Sequence, residues 1–271
     1  MTESSRRPDG PLQAAIELAR TALEVEPSGL LTDFDGTLSP IVADPLLAHL
    51  VDGADGALAS LASRLAVVAI ITGRAAVDAR RMTGVPGVLV VGNHGVEWLE
   101  PHRDEPAPAP DAAAIVERLE NALVAVPTPP GVLVERKGLS ATVHYRNAAD
   151  PAGARAAIVR ALRGASTHGV DVREGRMSVE LRPRGLGDKG AAARAIVERH
   201  ALRGVVVLGD DLTDLDMFRA VAELREAGRV RAAIIAVGAG EGAGPAEVRE
   251  AADVTLRDPA DAARLLAALI R

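Results

Sequence analysis

The densest chemistry in the sequence is Asp33-Phe34-Asp35-Gly36-Thr37, directly after the short apolar run Gly29 to Thr32. If that run is a strand, Asp33 and Asp35 stand at its C-terminal end, where open α/β sheets bind ligands. Two carboxylates this close repel each other, and a cation between them relieves the repulsion. Gly36 allows the tight turn. An Asp-Gly turn alone would be ordinary, but a second acidic group, Gly209-Asp210-Asp211-Leu212-Thr213-Asp214, follows the run Val205 to Leu208 in the same way. Two acidic strand ends converging on one crevice make an oxygen-ligand site suited to Mg²⁺. Ile71-Thr72-Gly73-Arg74 closes a third apolar run and offers a hydroxyl and backbone N–H groups. Gly187-Asp188-Lys189-Gly190 opens a helical stretch whose N-terminus favours an anion. Carboxylates, a divalent cation, a hydroxyl, a lysine and a helix N-terminus together suit phosphoryl transfer.

The elements that must position these groups follow from apolar spacing. Helical spacing covers Leu12 to Leu23 and Gly56 to Leu65, with strands expected at Gly29 to Asp33, Ala66 to Ile71 and Val88 to Val91. The last third repeats the alternation. Helices at Gly190 to His200, Leu215 to Ala227 and from Pro259 flank strands at Val205 to Leu208 and Ala232 to Val237. Short continuous apolar runs between helices fit a parallel sheet buried on both faces, hence an α/β core.

The middle differs. Pro101 to Pro110, rich in proline and charge, reads as a linker. After it come a helix (Asp111 to Val126), two strands (Val132 to Lys137, Leu139 to Tyr145), a helix (Pro151 to Gly164) and two more strands (Val170 to Arg173, Met177 to Leu181). This αββαββ unit is inserted into the core, and Arg182 to Asp188 returns the chain. The expected division is 1–105 core, 106–184 inserted cap and 185–271 core. Strand alternation puts Val134, Val143 and Val179 on one face of the inserted sheet. Glu135, Lys137, Thr142, His144, Glu180 and Arg182 fall on the other. A polar face is by default a solvated one; its alternative here is a hydroxyl-binding surface.

Composition narrows the classes. In 271 residues with 48% hydrophobic content a sizeable core is affordable, and four aromatics leave Ala, Val, Leu and Ile to fill it. A net charge of −6 argues against a broad nucleic-acid or anionic-membrane surface. The absence of cysteine excludes disulfides, zinc-thiolate sites and cysteine nucleophiles. Without an apolar segment behind Arg6 and Arg7, and without a run long enough to span a bilayer, a cytoplasmic, monomeric protein is expected. Of 31 basic residues only two, Lys137 and Lys189, are lysines. A compact ammonium does what a guanidinium does not in a tight site, so both positions draw notice.

In order, Asp33-Phe34-Asp35-Gly36-Thr37, Thr72, Lys189 and Gly209-Asp210-Asp211 resemble the four motifs of the haloacid dehalogenase (HAD) superfamily of phosphatases. The resemblance implies a HAD-like Rossmannoid core with Asp33 as the nucleophile that forms an aspartyl-phosphate. Asp35 becomes the general acid and base, and Thr72, Gly73 and Lys189 the phosphate ligands. Mg²⁺ would be held by Asp33, the Asp35 backbone carbonyl and Asp210, with Asp211 and Asp214 in or near its surroundings. Gly92-Asn93-His94-Gly95-Val96-Glu97, Glu135-Arg136-Lys137-Gly138, His144-Tyr145-Arg146 and Glu180-Leu181-Arg182-Pro183 are similar to trehalose-6-phosphate phosphatases. That likeness implies sugar-hydroxyl ligands at Glu135, Lys137 and Glu180, and substrate contacts at Arg74, Asn93 and His94. It favours the hydroxyl-binding reading of the polar sheet face over the solvated one. The expected partner is thus a small phosphosugar, with no nucleic acid or membrane. Leu215 departs from the family pattern, which has Glu there; losing that carboxylate is expected to weaken Mg²⁺ binding or shift substrate preference.

Three rivals remain open. A related phosphatase acting on sucrose phosphate or mannosyl-3-phosphoglycerate would share the core, although a substrate bearing a carboxylate would call for more cations on the polar face. A phosphate-accepting receiver also combines Asp, Thr and Lys on a parallel sheet, but has no use for the insertion. A weak phosphosugar sensor is the reading that Leu215 alone suggests. The glycines of Gly238 to Pro245 match no GxGxxG or Walker pattern and read as a loop.

Overall fold

The computed structural model describes residues 10–42, 44–107, 112–136, 138–163, 169–175, 177–183, 188–238 and 244–270. Lys137 and the glycine-loop residues 239–243 therefore lie outside the described residues. The chain divides into two compact units, Met1–Pro106 with Asp188–Arg271, and Ala107–Gly187.

The larger unit starts with α1 (Gly10–Leu23), β1 (Ser28–Thr32), α2 (Ala54–Ala62), β2 (Val67–Ile71), α3 (Ala76–Thr83), β3 (Leu89–Gly92) and β4 (Glu97–Leu99). The smaller unit follows as α4 (Ala112–Val124), β5 (Leu133–Arg136), β6 (Ala141–His144), α5 (Pro151–Ala161), β7 (Val170–Gly175) and β8 (Ser178–Pro183). The larger unit then resumes with α6 (Lys189–Arg199), β9 (Gly204–Gly209), α7 (Asp214–Glu226) and β10 (Arg231–Val237). It closes with α8 (Ala246–Glu250), β11 (Val254–Leu256) and α9 (Pro259–Leu269).

Seven strands form the main sheet in the order β11-β10-β9-β1-β2-β3-β4. All neighbours are parallel except β3 and β4. The parallel architecture expected from the sequence thus carries one antiparallel strand at its edge. Both faces are buried, because alternate residues serve two cores. Leu30, Val68, Val206 and Ile235 face the core that α1, α2 and α9 cover. Leu31, Ala69, Val207 and Ile234 face the core that α6 and α7 cover. That is why these strands read as unbroken apolar runs. Alanines let the helices sit close: α1 buries Ala15, Ala19 and Ala22.

Helix α3 and strand β4 were not foreseen from apolar spacing. Helix α3 buries Ala76, Ala79 and Thr83, a face without bulky apolar residues, while β4 is three residues long. Gly84 ends α3 in the left-handed conformation (φ 62°), a common glycine stop.

The smaller unit is a four-stranded sheet of order β5-β6-β8-β7 with antiparallel pairing throughout. Its apolar face carries Val143, Val179 and Leu181, and its two helices bury Ile115, Leu119 and Ile158. On the polar face the expected alternation has one exception: Leu133, opposite His144, is 64% exposed.

Phe218, fully buried in the α6–α7 core, tests this packing. Phe218→Ala is expected to lower unfolding free energy by about 3–5 kcal/mol in urea melts. A loss below about 1 kcal/mol would contradict the packing.

Candidate active site

The C-terminal ends of four adjacent strands, β9, β1, β2 and β3, carry Asp210, Asp33, Thr72 and Asn93 respectively. Parallel pairing brings them to one sheet edge, so residues far apart in sequence meet without any long loop. At the centre is Lys189, the first residue of α6. Its Nζ donates to Asp33 Oδ1 and to Asp214 Oδ1, both at 2.8 Å, and the side chain is 2% exposed. Asp188 caps that helix, its Oδ1 accepting from Ala191 N at 2.8 Å. Asp214 opens α7, and its Oδ2 accepts from the N–H groups of Asp210 (2.9 Å) and Asp211 (3.1 Å). Asp214 is thus spent at both oxygens, on lysine and on backbone.

Charge is out of balance here. Asp33, Asp210 and Asp214 are all buried, and one ligand oxygen from each lies within 4.8 Å of the others. Burial pushes the Asp33 pKa well above the usual carboxylate range; Lys189 pulls the other way, and Asp214, Asp210 and Asp211 add to the rise. Burial, then Asp214, pushes Asp210 up to about 8, against the hydrogen bond from Thr37. Asp214 is also raised by burial despite Lys189. Burial opposes the Lys189 charge, but Asp214 and Asp33 outweigh it and its pKa rises above the ordinary lysine value. Three buried carboxylates against one ammonium suit a further cation, and an all-oxygen set suits a hard divalent one such as Mg²⁺. Asp33 and Asp210 are the side chains best placed to hold it.

The other expected metal residues have different occupations. Both Asp35 oxygens accept from Arg74, Nε to Oδ2 and Nη2 to Oδ1, each at 2.6 Å. The same guanidinium donates to Pro45 O (2.8 Å) and lies 5.6 Å from the Phe34 ring centroid. Arg74, expected as a substrate contact, is here the partner of Asp35. The exposed Asp211 uses Oδ1 to accept from Thr213 N and Oγ1, both at 2.6 Å.

Two glycines are required by close approach. Gly36 has φ +81°, and a Cβ there would fall 2.0 Å from Asp210 Oδ2. On the other side of that carboxylate, Thr37 Oγ1 donates to Asp210 Oδ1 at 2.8 Å. Gly73 lets the His94 ring pack against its backbone, since a Cβ would lie 2.5 Å from Nε2. Asn93 (φ 47°) and His94 (φ 58°) both hold left-handed backbone, costly for non-glycine residues and often found at functional sites. Their N–H groups donate to Arg74 O (2.7 Å) and Thr72 O (2.9 Å), and this fastens the β3–β4 corner to the loop after β2. Buried Glu97 on β4 completes the attachment by accepting from Ala76 N at 2.8 Å.

Every described core residue singled out from sequence lies at this edge: Asp33, Asp35, Thr72, Gly73, Arg74, Asn93, His94, Lys189, Asp210, Asp211 and Asp214. Glu135 and Glu180 lie in the smaller unit, on one face of its sheet. Sequence reading missed Thr37 and Glu97 as supports, although both sit inside the motifs quoted for it. Leu215, where a carboxylate was the family pattern, is buried in the α6–α7 core.

The chain is similar in sequence and in fold to known proteins. A family model described as trehalose-phosphatase matches residues 31–252. A trehalose-phosphate phosphatase of Mycobacterium avium is 43% identical over 202 residues, 70% of this chain and 50% of the relative. The corresponding protein of Mycobacterium marinum is 40% identical over 211 residues, 73% of this chain and 53% of the relative. The chain thus spans about half the length of the curated relatives it matches. Among solved structures, the C-terminal domain of a Candida albicans trehalose-6-phosphate phosphatase superposes with TM-score 0.75 at 25% identity. That match covers 94% of this chain and 96% of that one. An Aspergillus fumigatus trehalose-6-phosphate phosphatase gives 0.63 at 27% identity, covering 94% and 97%.

Gly36→Ala is expected to cost about 1–3 kcal/mol through its left-handed φ. By displacing Asp210 it should also weaken divalent-cation binding there, seen as a smaller change in Tm on adding Mg²⁺ than in the unaltered protein measured alongside. A variant with normal Tm and a normal Mg²⁺ response would refute this account of the turn.

Proposed function

The chain belongs to the trehalose-phosphatase family, and from that premise we propose that it hydrolyses trehalose 6-phosphate to trehalose and phosphate through an aspartyl-phosphate on Asp33. The observation that carries the reading is the buried Asp33–Lys189–Asp214 array at the edge where Thr72 and Asp210 also end their strands.

In the first step Asp33 attacks phosphorus and the bond from phosphorus to the sugar oxygen breaks. Asp35 gives that oxygen its proton. In the second step water attacks the phosphorus of the aspartyl-phosphate, Asp35 takes the water's proton, and Asp33 is regenerated as phosphate leaves. Lys189 keeps Asp33 oriented and offers positive charge to the phosphoryl oxygens, while Thr72 Oγ1 and the N–H of Gly73 add donors. Asp33 and Asp210, with the Asp35 carbonyl, would hold Mg²⁺, which when bound would neutralise charge at the phosphoryl group. Asp211 and Asp214 support that set from beside it.

The Asp35–Arg74 pair has a consequence for this scheme. Both Asp35 oxygens are engaged by the guanidinium, so Asp35 reaches the leaving oxygen or the attacking water only when that clamp loosens. Arg74 is therefore assigned to substrate and to Asp35 in turn. By the family likeness, sugar-hydroxyl contacts are assigned to Glu135, Lys137 and Glu180, and substrate contacts to Asn93 and His94. The phosphosugar is the partner, and a monomer in the cytoplasm suffices for the reaction.

Phosphate release is measured with Mg²⁺ and with EDTA across trehalose 6-phosphate, sucrose 6-phosphate, glucose 6-phosphate and mannosyl-3-phosphoglycerate. Mg²⁺-dependent preference for trehalose 6-phosphate is expected, and Asp33→Asn should reduce turnover by about three orders of magnitude or more while retaining the fold. Preference for another member would discard the substrate and keep the mechanism. Substantial turnover by D33N would discard the nucleophile.

A further inference from the structure

The polar face of the smaller unit's sheet holds a side chain that neither the fold nor the phosphoryl-transfer chemistry uses. The antiparallel register sets Glu135 of β5 opposite Thr142 of β6, and Thr142 opposite Glu180 of β8. Directly opposed residues project from the same face, so the three form a row with the threonine in the middle. Thr142 is 5% exposed, and its Oγ1 is buried with no hydrogen-bond partner among the described residues. Buried hydroxyls are nearly always paired in native proteins. This one bears a desolvation cost with nothing to offset it.

Valine would fill the same volume on a strand without that cost, since it matches threonine in shape and in β preference. A hydroxyl kept at the expense of stability is a mark of function. Its neighbours say what kind. Glu135 and Glu180 each have a basic neighbour. His144 Nε2 lies 2.8 Å from Glu135 Oε2, and Arg182 Nη2 donates to Glu180 Oε2 at 2.5 Å. Arg173 stands opposite Glu180 on β7. Ionised carboxylates only accept hydrogen bonds, whereas a threonine hydroxyl can both donate and accept. A polyol presents groups that do both, spaced along a ring. With opposed strand residues about 5 Å apart, the row from Glu135 to Glu180 extends about 10 Å, a length suited to a sugar and its hydroxyls.

We propose that Thr142 is a specificity-determining residue, its hydroxyl bonding a ring hydroxyl of the sugar between those bound by Glu135 and Glu180. The inference rests on the phosphosugar reading given above. It adds to the carboxylate set a neutral group able to answer a sugar oxygen as well as a sugar proton.

Thr142→Val and Thr142→Ser are compared with the unaltered protein and with Glu135→Gln, by steady-state hydrolysis of trehalose 6-phosphate and by thermal unfolding without substrate. T142V is expected to raise KM by about tenfold, the worth of one hydrogen bond, with kcat changed by less than about twofold. Its Tm without substrate should equal or exceed that of the unaltered protein, because an unpaired buried hydroxyl has been removed. T142S, which keeps the hydroxyl, should stay within about twofold in KM. A T142V protein with normal KM, where E135Q shows a raised one, overturns the assignment of Thr142 alone. A raised KM accompanied by a fallen Tm overturns it in favour of a packing role. An unaltered protein that releases no phosphate from trehalose 6-phosphate overturns the substrate reading itself, and this inference with it; that result is visible before any variant is measured.

Discussion

Everything at the sheet edge depends on one buried ammonium serving two carboxylates. Lys189 can lie 2.8 Å from both Asp33 and Asp214 only because α6 begins at that residue and α7 begins at Asp214, with both helix starts placed over the same strand ends. Taking a lysine and an aspartate out of water is expensive, and geometry must be good for their attraction to offset it. The backbone amides of Asp210 and Asp211, which donate to Asp214, supply the additional hydrogen bonds that make it so. Even then three buried carboxylates face one cation. The residual negative charge is what makes the site suited to a divalent ion, and through it to a phosphoryl group.

Around this point the fold supplies stiffness. A sheet packed on both faces does not flex locally, so strand ends hold their spacing within the small tolerance that phosphoryl transfer demands. The loops are fixed by specific contacts. The left-handed pair Asn93 and His94 is held by amide bonds to the loop after β2, and Glu97 secures the first turn of α3. Gly36 and Gly73 are glycine because an aspartate and a histidine ring occupy the space where a Cβ would be.

Much of this could be read from the residues. Unbroken apolar runs announced a doubly covered parallel sheet, and an acidic group after each of two such runs announced which edge would carry the chemistry. Alternation in the inserted strands sorted Glu135, Thr142 and Glu180 onto one face. Weak patterns hid the rest. Helix α3 buries alanines rather than bulky residues, and β4 is too short to show a period. The clamp between Arg74 and Asp35 joins residues 39 positions apart, and no spacing rule foretells it. Nor does sequence reveal that the Thr142 hydroxyl has no partner among the described residues while its neighbours have theirs, because satisfaction is a property of packing.

The most direct test is to trap the phosphorylated protein. During turnover of trehalose 6-phosphate with Mg²⁺, a rapid quench into borohydride reduces an acyl phosphate to an alcohol, and peptide mass spectrometry locates the change. Reduction at position 33 alone, absent without substrate, is the expected result. Reduction at another carboxylate, or none while phosphate is released at the full rate, would contradict the assignment of Asp33 as nucleophile.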